Sequence, residues 1–234
     1  MTCCHCKGVE QMFDDRMARR QLRHYRRKGP AKATRQLLEA VAAAGVGGRT
    51  FIDVGGGIGA IQHDFMDRGA LGGICADASP AYLATARAEA EARGFADRMR
   101  YIGGDFVERA SELEPADIVT LDRVVCCYPD MPAMLGAAAS LARGTLALII
   151  PRGTRFIRAG IGLVNFVQRL RRHPFRVFVH DPDEVERVLQ GHGMSRRHLR
   201  EGMVWRVMVF RRQTPDVTSG LAEKKVASVA RTGS

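Results

Sequence analysis

Three glycines at alternate positions, Gly55, Gly57 and Gly59, follow an apolar segment at Thr50–Val54 and precede a helical pattern. Glycine lets the backbone turn sharply, and it lets a ligand approach without a Cβ in the way. The free N–H groups at the start of the following helix attract a carboxylate or a phosphate. This strand, turn and helix therefore predict a site for a small ligand that lies against the turn.

Asp53 distinguishes between the ligands that such a turn can hold. Gly55, Gly57 and Ala60 also satisfy the dinucleotide pattern G-x-G-x-x-A, so the glycines alone leave a nicotinamide cofactor open. A carboxylate two residues before Gly55 would repel a pyrophosphate, whereas it would attract an ammonium or a sulfonium group. The turn with Asp53 therefore favours a methionine-type cofactor.

Two further acids follow the next two predicted strands, at about 72–76 and 100–103. Asp77 stands where a carboxylate can accept hydrogen bonds from both hydroxyls of a ribose. Asp105 can accept the exocyclic amine of an adenine while Phe106 packs on its ring, although Asp105 could instead be a turn residue. Together these residues predict a pocket for an adenosine.

Strands and helices alternate through the middle of the chain and must bring these residues to one edge. Continuous apolar strands between helices are typical of a parallel sheet covered on both faces. Near the end, runs at about 195–200 and 204–210 are joined by a short turn that forces them antiparallel. The predicted fold is α/β, a Rossmann-like doubly wound and mostly parallel sheet that ends in an antiparallel edge hairpin. Its strands are expected at Thr50–Val54, 72–76, 100–103, 117–121, 146–150, 195–200 and 204–210.

Three motifs at this spacing resemble those of the class I S-adenosylmethionine-dependent methyltransferases, over about residues 36–212. They are the runs 51–59 (FIDVGGGIG), 75–80 (CADASP) and 103–106 (GGDF). The resemblance implies S-adenosylmethionine as cofactor, with the glycines of the turn shaping its pocket. It also implies Asp53 near the methionine ammonium, Asp77 on the ribose, and Asp105 with Phe106 at the adenine.

In that family's fold the loop after the fourth strand faces the methyl group, and here it spans residues 121–130. Asp122 is the leading candidate for a contact near the methionine moiety or the acceptor, and Tyr128 for orienting or deprotonating the acceptor. Alternatively, Asp122 caps a turn and Tyr128 belongs to the core. His180, before the last helix, is a third catalytic candidate, although a lone histidine is more often structural.

The formal net charge of +11 is unevenly distributed. Residues 1–35 carry 10 Lys/Arg against 3 Asp/Glu, residues 36–151 carry 9 against 15, and residues 152–234 carry 17 against 7. An acidic centre suits a cationic cofactor, and basic arms suit weak contact with an anionic membrane surface or RNA, unless the arginines are only a solvated surface.

The domain organisation predicted from these patterns has three parts. Residues 1–35 are expected to form a basic, helical N-terminal lid, residues 36–212 the methyltransferase domain, and residues 213–234 a disordered tail. The segment 152–176 holds seven arginines and no acid among large apolar residues. We expect it, with residues 12–30, to cover an apolar and anionic acceptor.

The cysteines leave a second chemistry open. Cys3, Cys4, His5 and Cys6 are too tightly spaced for the usual C-x-x-C zinc site, but with Cys126 and Cys127 they could hold a soft metal or an arsenic acceptor. Free cysteines are, however, commonly buried as small hydrophobes, and we predict no metal. Six cysteines without a secretion signal indicate a cytoplasmic protein, and no apolar run is long enough to predict a transmembrane segment.

Taken together, the residues predict an enzyme that transfers the methyl group of S-adenosylmethionine to a small apolar or anionic metabolite. An isoelectric point of about 10.0 and clustered arginines keep an RNA methyltransferase as the alternative. A non-catalytic module that binds S-adenosylmethionine is the third hypothesis, because an intact cofactor site does not by itself establish catalysis.

Overall fold

The computed structural model describes residues 4–213, and it describes side chains from residue 7 onward. Seven strands form one sheet in the order β3-β2-β1-β4-β5-β7-β6. β1 to β5 are parallel, β7 is antiparallel to β5, and β6 pairs with β7 at the edge. The predicted fold class is thereby confirmed. The strands are β1 (Thr50–Val54), β2 (Gly72–Asp77), β3 (Met99–Gly103), β4 (Ala116–Asp122), β5 (Ala142–Pro151), β6 (Met194–Glu201) and β7 (Trp205–Arg212).

Nine α-helices are found among the described residues. No helix in this part of the chain is long and apolar enough to span a membrane. The tail expected to be disordered lies outside the described residues, except for Gln213. The helices are α1 (Cys4–Met12), α2 (Asp15–Lys28), α3 (Lys32–Ala42), α4 (Ala60–Asp67), α5 (Pro80–Ala92), α6 (Phe106–Arg109), α7 (Met131–Leu141), α8 (Arg155–Leu170) and α9 (Pro182–Gly191).

The inner strands β1, β4 and β5 are buried on both faces because helices cover both sides of the sheet, and successive side chains point to opposite sides. Ile52, Val119 and Leu148 belong to the cluster shared with α7 and α9. Their neighbours along the strands pack with α3 and α4 on the other face: Phe51, Ile118, Ile149. This explains why the sequence of the inner strands is continuously apolar rather than alternating.

The basic segment before the sheet forms α2, although its apolar pattern is only loosely periodic. Asp14 caps this helix by accepting a hydrogen bond from the amide of Met17 at 2.8 Å. Arg26 pairs with the buried Glu89, which ties α2 to α5. A small apolar cluster fills the space between them, formed by Phe13, Met17, Ala18, Leu22, Tyr25, Ile58 and Tyr82.

The strand order reverses direction at β1, which lies between β2 and β4. The chain continues from β1 outward to β3, and then returns to place β4 and β5 on the other side. In open parallel sheets the crevice at such a switch point, beyond the carboxyl ends of the strands, is where ligands bind. Asp53, Asp77 and Asp122 stand in β1, β2 and β4 at this edge.

Candidate active site

A cavity of about 370 Å³ opens at the switch point. The glycine turn and the ends of β1, β2 and β4 form one side of it, and residues from α1, α2 and β7 complete the other. Four carboxylates and one guanidinium lie in its wall: Asp53, Asp77, Asp105, Asp122 and Arg123. The wall is therefore acidic, as expected for the site of a cationic ligand.

The glycine turn requires glycine at the predicted positions. Gly55, Gly57 and Gly59 have φ angles of 64°, 56° and 86°, in the left-handed region that L side chains rarely adopt. A Cβ on Gly55 would also lie 2.8 Å from Cγ2 of Val124 in the loop after β4. The turn and that loop can approach each other this closely only because Gly55 has no side chain.

Asp53 is buried at the base of the cavity. One carboxylate oxygen accepts from the hydroxyl of Thr120 at 2.7 Å, and the other from the side-chain amide of Gln62 at 3.2 Å. Burial raises the pKa of this carboxyl from 3.8 to about 7, against the effect of these two neutral donors. A cation bound beside Asp53 would stabilise the ionised form and lower this pKa.

Asp77, at the end of β2, holds the turn in place. Its carboxylate accepts from the amide of Gly57 at 2.9 Å and from the amide of Ser79 at 2.8 Å. Burial raises the pKa of this carboxyl, while the two amides oppose the shift. A carboxylate has about four acceptor positions, so two remain for the hydroxyls of a ribose.

Asp105 and Tyr128 lie together on another side of the cavity. The phenolic O–H of Tyr128 lies 3.1 Å from both carboxylate oxygens of Asp105, to which it donates. Asp105 also caps α6 by accepting from the amide of Val107 at 2.9 Å. Phe106 is buried in the same wall. The structure thus places Tyr128 beside the residues expected at the adenine.

Asp122 joins the end of β4 to α3. The hydroxyl of Thr34 donates to Oδ2 of Asp122 at 2.7 Å, and Arg123 donates to Oδ1 at 2.8 Å. Arg123 has a φ of 59°, unusual for a residue with a side chain, and its guanidinium lies 5.9 Å from the ring of Trp205. Asp122 therefore faces the cavity with part of its accepting capacity already used.

The structure places His180 outside the wall of the cavity. Its Nε2 lies 3.1 Å from the carbonyl oxygens of both Val125 and Tyr128, to which an N–H there donates. The ring also stacks on Phe178, with the centroids 6.0 Å apart. His180 thus contacts the backbone of the loop after β4 and does not line the cavity.

Residues before α3 cover the cavity. Val9, Phe13 and Gln21 contribute to its wall, and the ring of Phe13 packs edge-on against Tyr82 with the centroids 5.6 Å apart. The hydroxyl of Ser79 donates to the carbonyl oxygen of Phe13 at 2.6 Å.

The segment 152–176 was expected to complete this cover, and here the expectation needs correction. None of its residues lines the cavity. The next residue along the chain, Val177, does line the cavity. Within the segment, Phe175 contacts the cover: its ring packs edge-on against Phe13, with the centroids 5.6 Å apart. The helix within the segment, α8, lies at the surface without a fully buried side chain.

Cys126 and Cys127 both reach the cavity, with their sulfur atoms 3.9 Å apart. Their mutual contact raises the pKa of the Cys126 thiol, together with burial, and lowers the pKa of Cys127. Within the described part of the chain no group of three or more His, Cys, Asp or Glu is placed to hold a metal ion. The side chains of Cys3, Cys4, His5 and Cys6 lie outside the described residues.

Several residues of the site were missed by sequence reasoning. Thr34, in α3, contacts Asp122, which is distant in sequence. Gln62, in α4, contacts Asp53 from the other side of the glycine turn. Gln21 and Trp205 come from opposite ends of the chain. Only Arg123 carried a local signal, since it directly follows Asp122 in the loop already singled out.

Comparison with known proteins assigns the family. The sequence matches the O-methyltransferase domain family over residues 10–135, which is more than half of the chain. The chain belongs to the O-methyltransferase domain family. No curated protein matches the sequence significantly. This O-methyltransferase domain is an S-adenosylmethionine-dependent methyltransferase, as the motif resemblance implied.

Solved structures share the fold at low sequence identity. Magnesium protoporphyrin IX methyltransferase from Synechocystis, with bound SAH, is 20% identical with a TM-score of 0.69, covering 89% of this chain and 100% of that one. An O-methyltransferase family protein from Burkholderia thailandensis is 20% identical with a TM-score of 0.62, and the match covers 78% of this chain and 57% of that one. An O-methyltransferase family 2 protein from Planctomyces limnophilus, in complex with apigenin, is 16% identical with a TM-score of 0.57. The match covers 80% of this chain and 63% of that one.

Three observations indicate that the residues of this O-methyltransferase fit S-adenosylmethionine. The glycine turn lines the cavity with backbone atoms alone at Gly55, Gly56 and Gly57, and the buried Asp53 lacks a cationic side-chain partner among the described residues. The hydroxyl of Tyr82, whose side chain lines the cavity beside Gly57, is buried without a hydrogen-bond partner in the same part of the chain. These are polar groups that a zwitterionic, hydroxyl-bearing ligand could satisfy.

Proposed function

We propose that this chain transfers the methyl group of S-adenosylmethionine to an oxygen atom of a small, largely apolar metabolite. The observation that carries this proposal is the cavity itself, to whose wall α1 contributes Val9 and α2 contributes Gln21. A volume of about 370 Å³ is at the lower end of the range of small-molecule sites. Membership of the O-methyltransferase domain family supports oxygen as the acceptor atom.

The cofactor half of the proposed site is the glycine turn with the three acids that follow strands. We assign Asp53 to the ammonium, Asp77 to the ribose hydroxyls, and Asp105 with Phe106 to the adenine. When bound, S-adenosylmethionine supplies a methyl group already activated by its sulfonium, so the protein mainly has to align an acceptor. Tyr128 fixes the carboxylate of Asp105 and is assigned to this half as well.

The acceptor half lies where the N-terminal cover meets the end of the sheet. Val9, Phe13, Val177 and Trp205 give this part of the wall an apolar surface, and Gln21 adds an amide. The guanidinium of Arg123 is already paired with Asp122. These residues favour an apolar acceptor over an anionic one, and the N-terminal segment is proposed to act as its lid.

A hydroxyl acceptor loses a proton during transfer, and a side chain at the end of β4 lies in the cavity wall where it could assist. Asp122 lies in the cavity wall and retains accepting capacity beyond its bonds to Thr34 and Arg123. We propose Asp122 as the group that orients or receives this proton. Tyr128 and His180 are less suitable, because Tyr128 is engaged with Asp105 and His180 does not line the cavity.

Proteins with the same fold act on or bind small aromatic compounds, which supports an acceptor of this class. Two such proteins are the magnesium protoporphyrin IX methyltransferase and the O-methyltransferase family 2 protein in complex with apigenin. Another with this fold is named a putative RNA methyltransferase from Pyrococcus horikoshii, 16% identical with a TM-score of 0.54. A concave cavity lined by apolar side chains favours the first class.

Incubation with donor labelled in its methyl group tests the proposal. Purified protein is mixed with a cell extract separated into small molecules, RNA and protein, and each fraction is counted. Label in a small molecule, as a methyl ether or ester, is the expected result. Label in RNA would establish the alternative, and donor binding without transfer to any fraction would indicate a non-catalytic module.

We also propose a cytoplasmic location for this activity. Cys75, Cys126 and Cys127 are all free thiols, although the last two are close neighbours. Such thiols persist in a reducing compartment. Fractionation of cells that express the protein, with detection by antibody, would test the assignment.

A further inference from the structure

Helix α8 presents a row of large apolar side chains to solvent. Phe156, Leu163 and Leu170 are 91%, 64% and 68% exposed. They are seven residues apart, so they lie on one face of the helix. Val167, 37% exposed, lies between the last two on the same face. A surface helix normally turns such residues toward the core and polar ones toward water.

The opposite face of α8 is fixed to the rest of the protein. Ile157, Ile161 and Asn165 are only partly exposed. The side-chain amide of Asn165 accepts from the backbone amide of Val177 at 2.9 Å and donates to its carbonyl oxygen at 2.7 Å. Asn165 therefore holds the helix in this orientation, with its apolar row directed outward.

Positive charge is clustered at both ends of this apolar row. The segment 152–176 contains seven arginines and no acidic residue, and five of the seven are exposed. The exposed ones lie in or just after α8: Arg155, Arg158, Arg169, Arg171 and Arg172. A helix with a large apolar face flanked by basic side chains is the type that lies in the interface of an anionic membrane.

The turn between β6 and β7 extends the apolar surface beside the start of α8. Met203 is 91% exposed and Val204 is 46% exposed. The backbone amide of Arg152 donates to the carbonyl oxygen of Val204 at 2.8 Å, which places this turn next to the residues before the helix. Two separate parts of the chain thus expose apolar side chains in the same region.

We propose that α8 docks this protein on the surface of an anionic lipid bilayer. The apolar row enters the boundary between headgroups and acyl chains, and the arginines contact the headgroup phosphates. An RNA partner would use the arginines but would leave the aliphatic row in water, so it fits only half of the surface. The arginines likewise disfavour a second copy of this chain, because two copies of the segment would repel each other.

Flotation of the full-length protein with vesicles tests this proposal. One set consists of phosphatidylcholine alone, and the other contains about one part in three of phosphatidylglycerol. We expect the protein to float with the anionic vesicles and to remain behind with the neutral ones. The triple substitution Phe156→Ser, Leu163→Ser and Leu170→Ser should lower the partition coefficient at least about tenfold, because buried apolar area drives such binding.

Leu71→Ser is the matched control, since Leu71 is 60% exposed but precedes β2, in the half of the sheet opposite to β6 and β7. It should leave flotation unchanged. All of these side chains are exposed, so melting temperature and S-adenosylhomocysteine binding should also stay as in the parent protein. Replacing Arg155, Arg158 and Arg169 by Gln should weaken binding to anionic vesicles, as added salt does.

Four results would overturn the proposal. The parent protein does not bind anionic vesicles, or the triple serine variant binds them as strongly as the parent. The third is that the parent forms dimers through this face, shown by sedimentation that the triple substitution reverses. In the fourth, the parent protein retains tRNA but does not bind vesicles, and the serine variant retains tRNA equally well. That result would assign the arginines to RNA and overturn the docking on lipid.

Discussion

The hydroxyl of Tyr128 lies within 3.1 Å of both carboxylate oxygens of Asp105, and this bond joins the loop after β4 to the loop after β3. Asp105 is itself buried, and its carboxylate caps the N-terminus of α6. A tyrosine in this position shapes the pocket assigned to the adenine. Its engagement with Asp105 argues against a second role as the base for an acceptor.

Tyr128→Phe should therefore affect the cofactor more than the chemistry. Loss of a hydrogen bond to a carboxylate costs about 1.5–3 kcal/mol, so the dissociation constant for S-adenosylhomocysteine should rise about tenfold or more. At saturating donor, kcat with the acceptor found by labelling should change little. Calorimetry and steady-state kinetics measure the two effects. A fall in kcat of about 10²-fold or more with unchanged cofactor affinity would instead identify Tyr128 as a base.

Asp53 should make cofactor binding depend on pH. Its pKa in the free protein is about 7, and a bound ammonium favours the ionised form, so a proton must leave on binding at lower pH. Affinity for S-adenosylhomocysteine should rise between about pH 5.5 and 7, and level off above it while the ligand's amine is still protonated. Calorimetry in buffers of different ionisation enthalpy would detect the released proton.

Asp53→Asn is the control for this pH dependence. It should weaken binding about tenfold or more at pH 7.5, and the remaining affinity should no longer vary over that range. Stability without ligand gives an independent check. The folded pKa lies above the unfolded value of 3.8, so the parent protein should lose stability as pH rises from about 4 to 7. The Asn variant should lose less over the same window, and equal losses would contradict the assigned pKa.

Gly55→Ala should abolish cofactor binding, because the new Cβ would lie 2.8 Å from Val124 and the backbone would be strained at a φ of 64°. Gly94→Ala separates the two causes. Gly94 has a φ of 74°, but no atom would lie within 4 Å of its Cβ. Both variants should melt at lower temperature, since the left-handed region costs about 1–2 kcal/mol with a side chain. Equal loss of cofactor binding in both would contradict a specific role of Gly55.

His180→Ala should reduce stability and spare the chemistry. The substitution leaves the carbonyl oxygens of Val125 and Tyr128 without this donor, at a cost of about 1–3 kcal/mol. The melting temperature should fall, while the pH profile of kcat at a permissive temperature keeps its shape. A general base would be worth about 10²–10⁴-fold in rate, so a loss of that size with a shifted profile would restore the catalytic hypothesis.

Phe13→Ala tests the N-terminal cover. Phe13 lines the cavity and packs against both Tyr82 and Phe175, so its loss should raise the KM of the acceptor about tenfold. Affinity for S-adenosylhomocysteine should fall less, because only the Tyr82 contact adjoins the glycine turn. Phe156→Ala removes an equal side chain from the surface helix and should leave both constants unchanged. An unaltered KM in the Phe13 variant would exclude the lid.

The strands and the cofactor half of the site are local in sequence. β1 and the turn after it occupy adjacent residues, and the acids at 53, 77 and 105 each follow or end a recognisable apolar segment. Parallel strands bring their carboxyl ends to one edge, so these acids were placed together by periodicity and chain direction alone. The antiparallel hairpin was likewise set by the short turn between its strands.

Contacts between distant segments were decided only by tertiary structure. Thr34 meets Asp122 across 2.7 Å although 88 residues separate them, and no local pattern records that pairing. The sequence shows that α8 is amphipathic, but not which side the protein covers. Asn165 decides this by holding Val177, and the apolar row then faces outward. The amino-acid sequence by itself thus determined the sheet and the cofactor that its turn accepts, because those depend on neighbouring residues. The roles of Tyr128, His180 and α8 depend on which surfaces meet, and only the packed chain decides that.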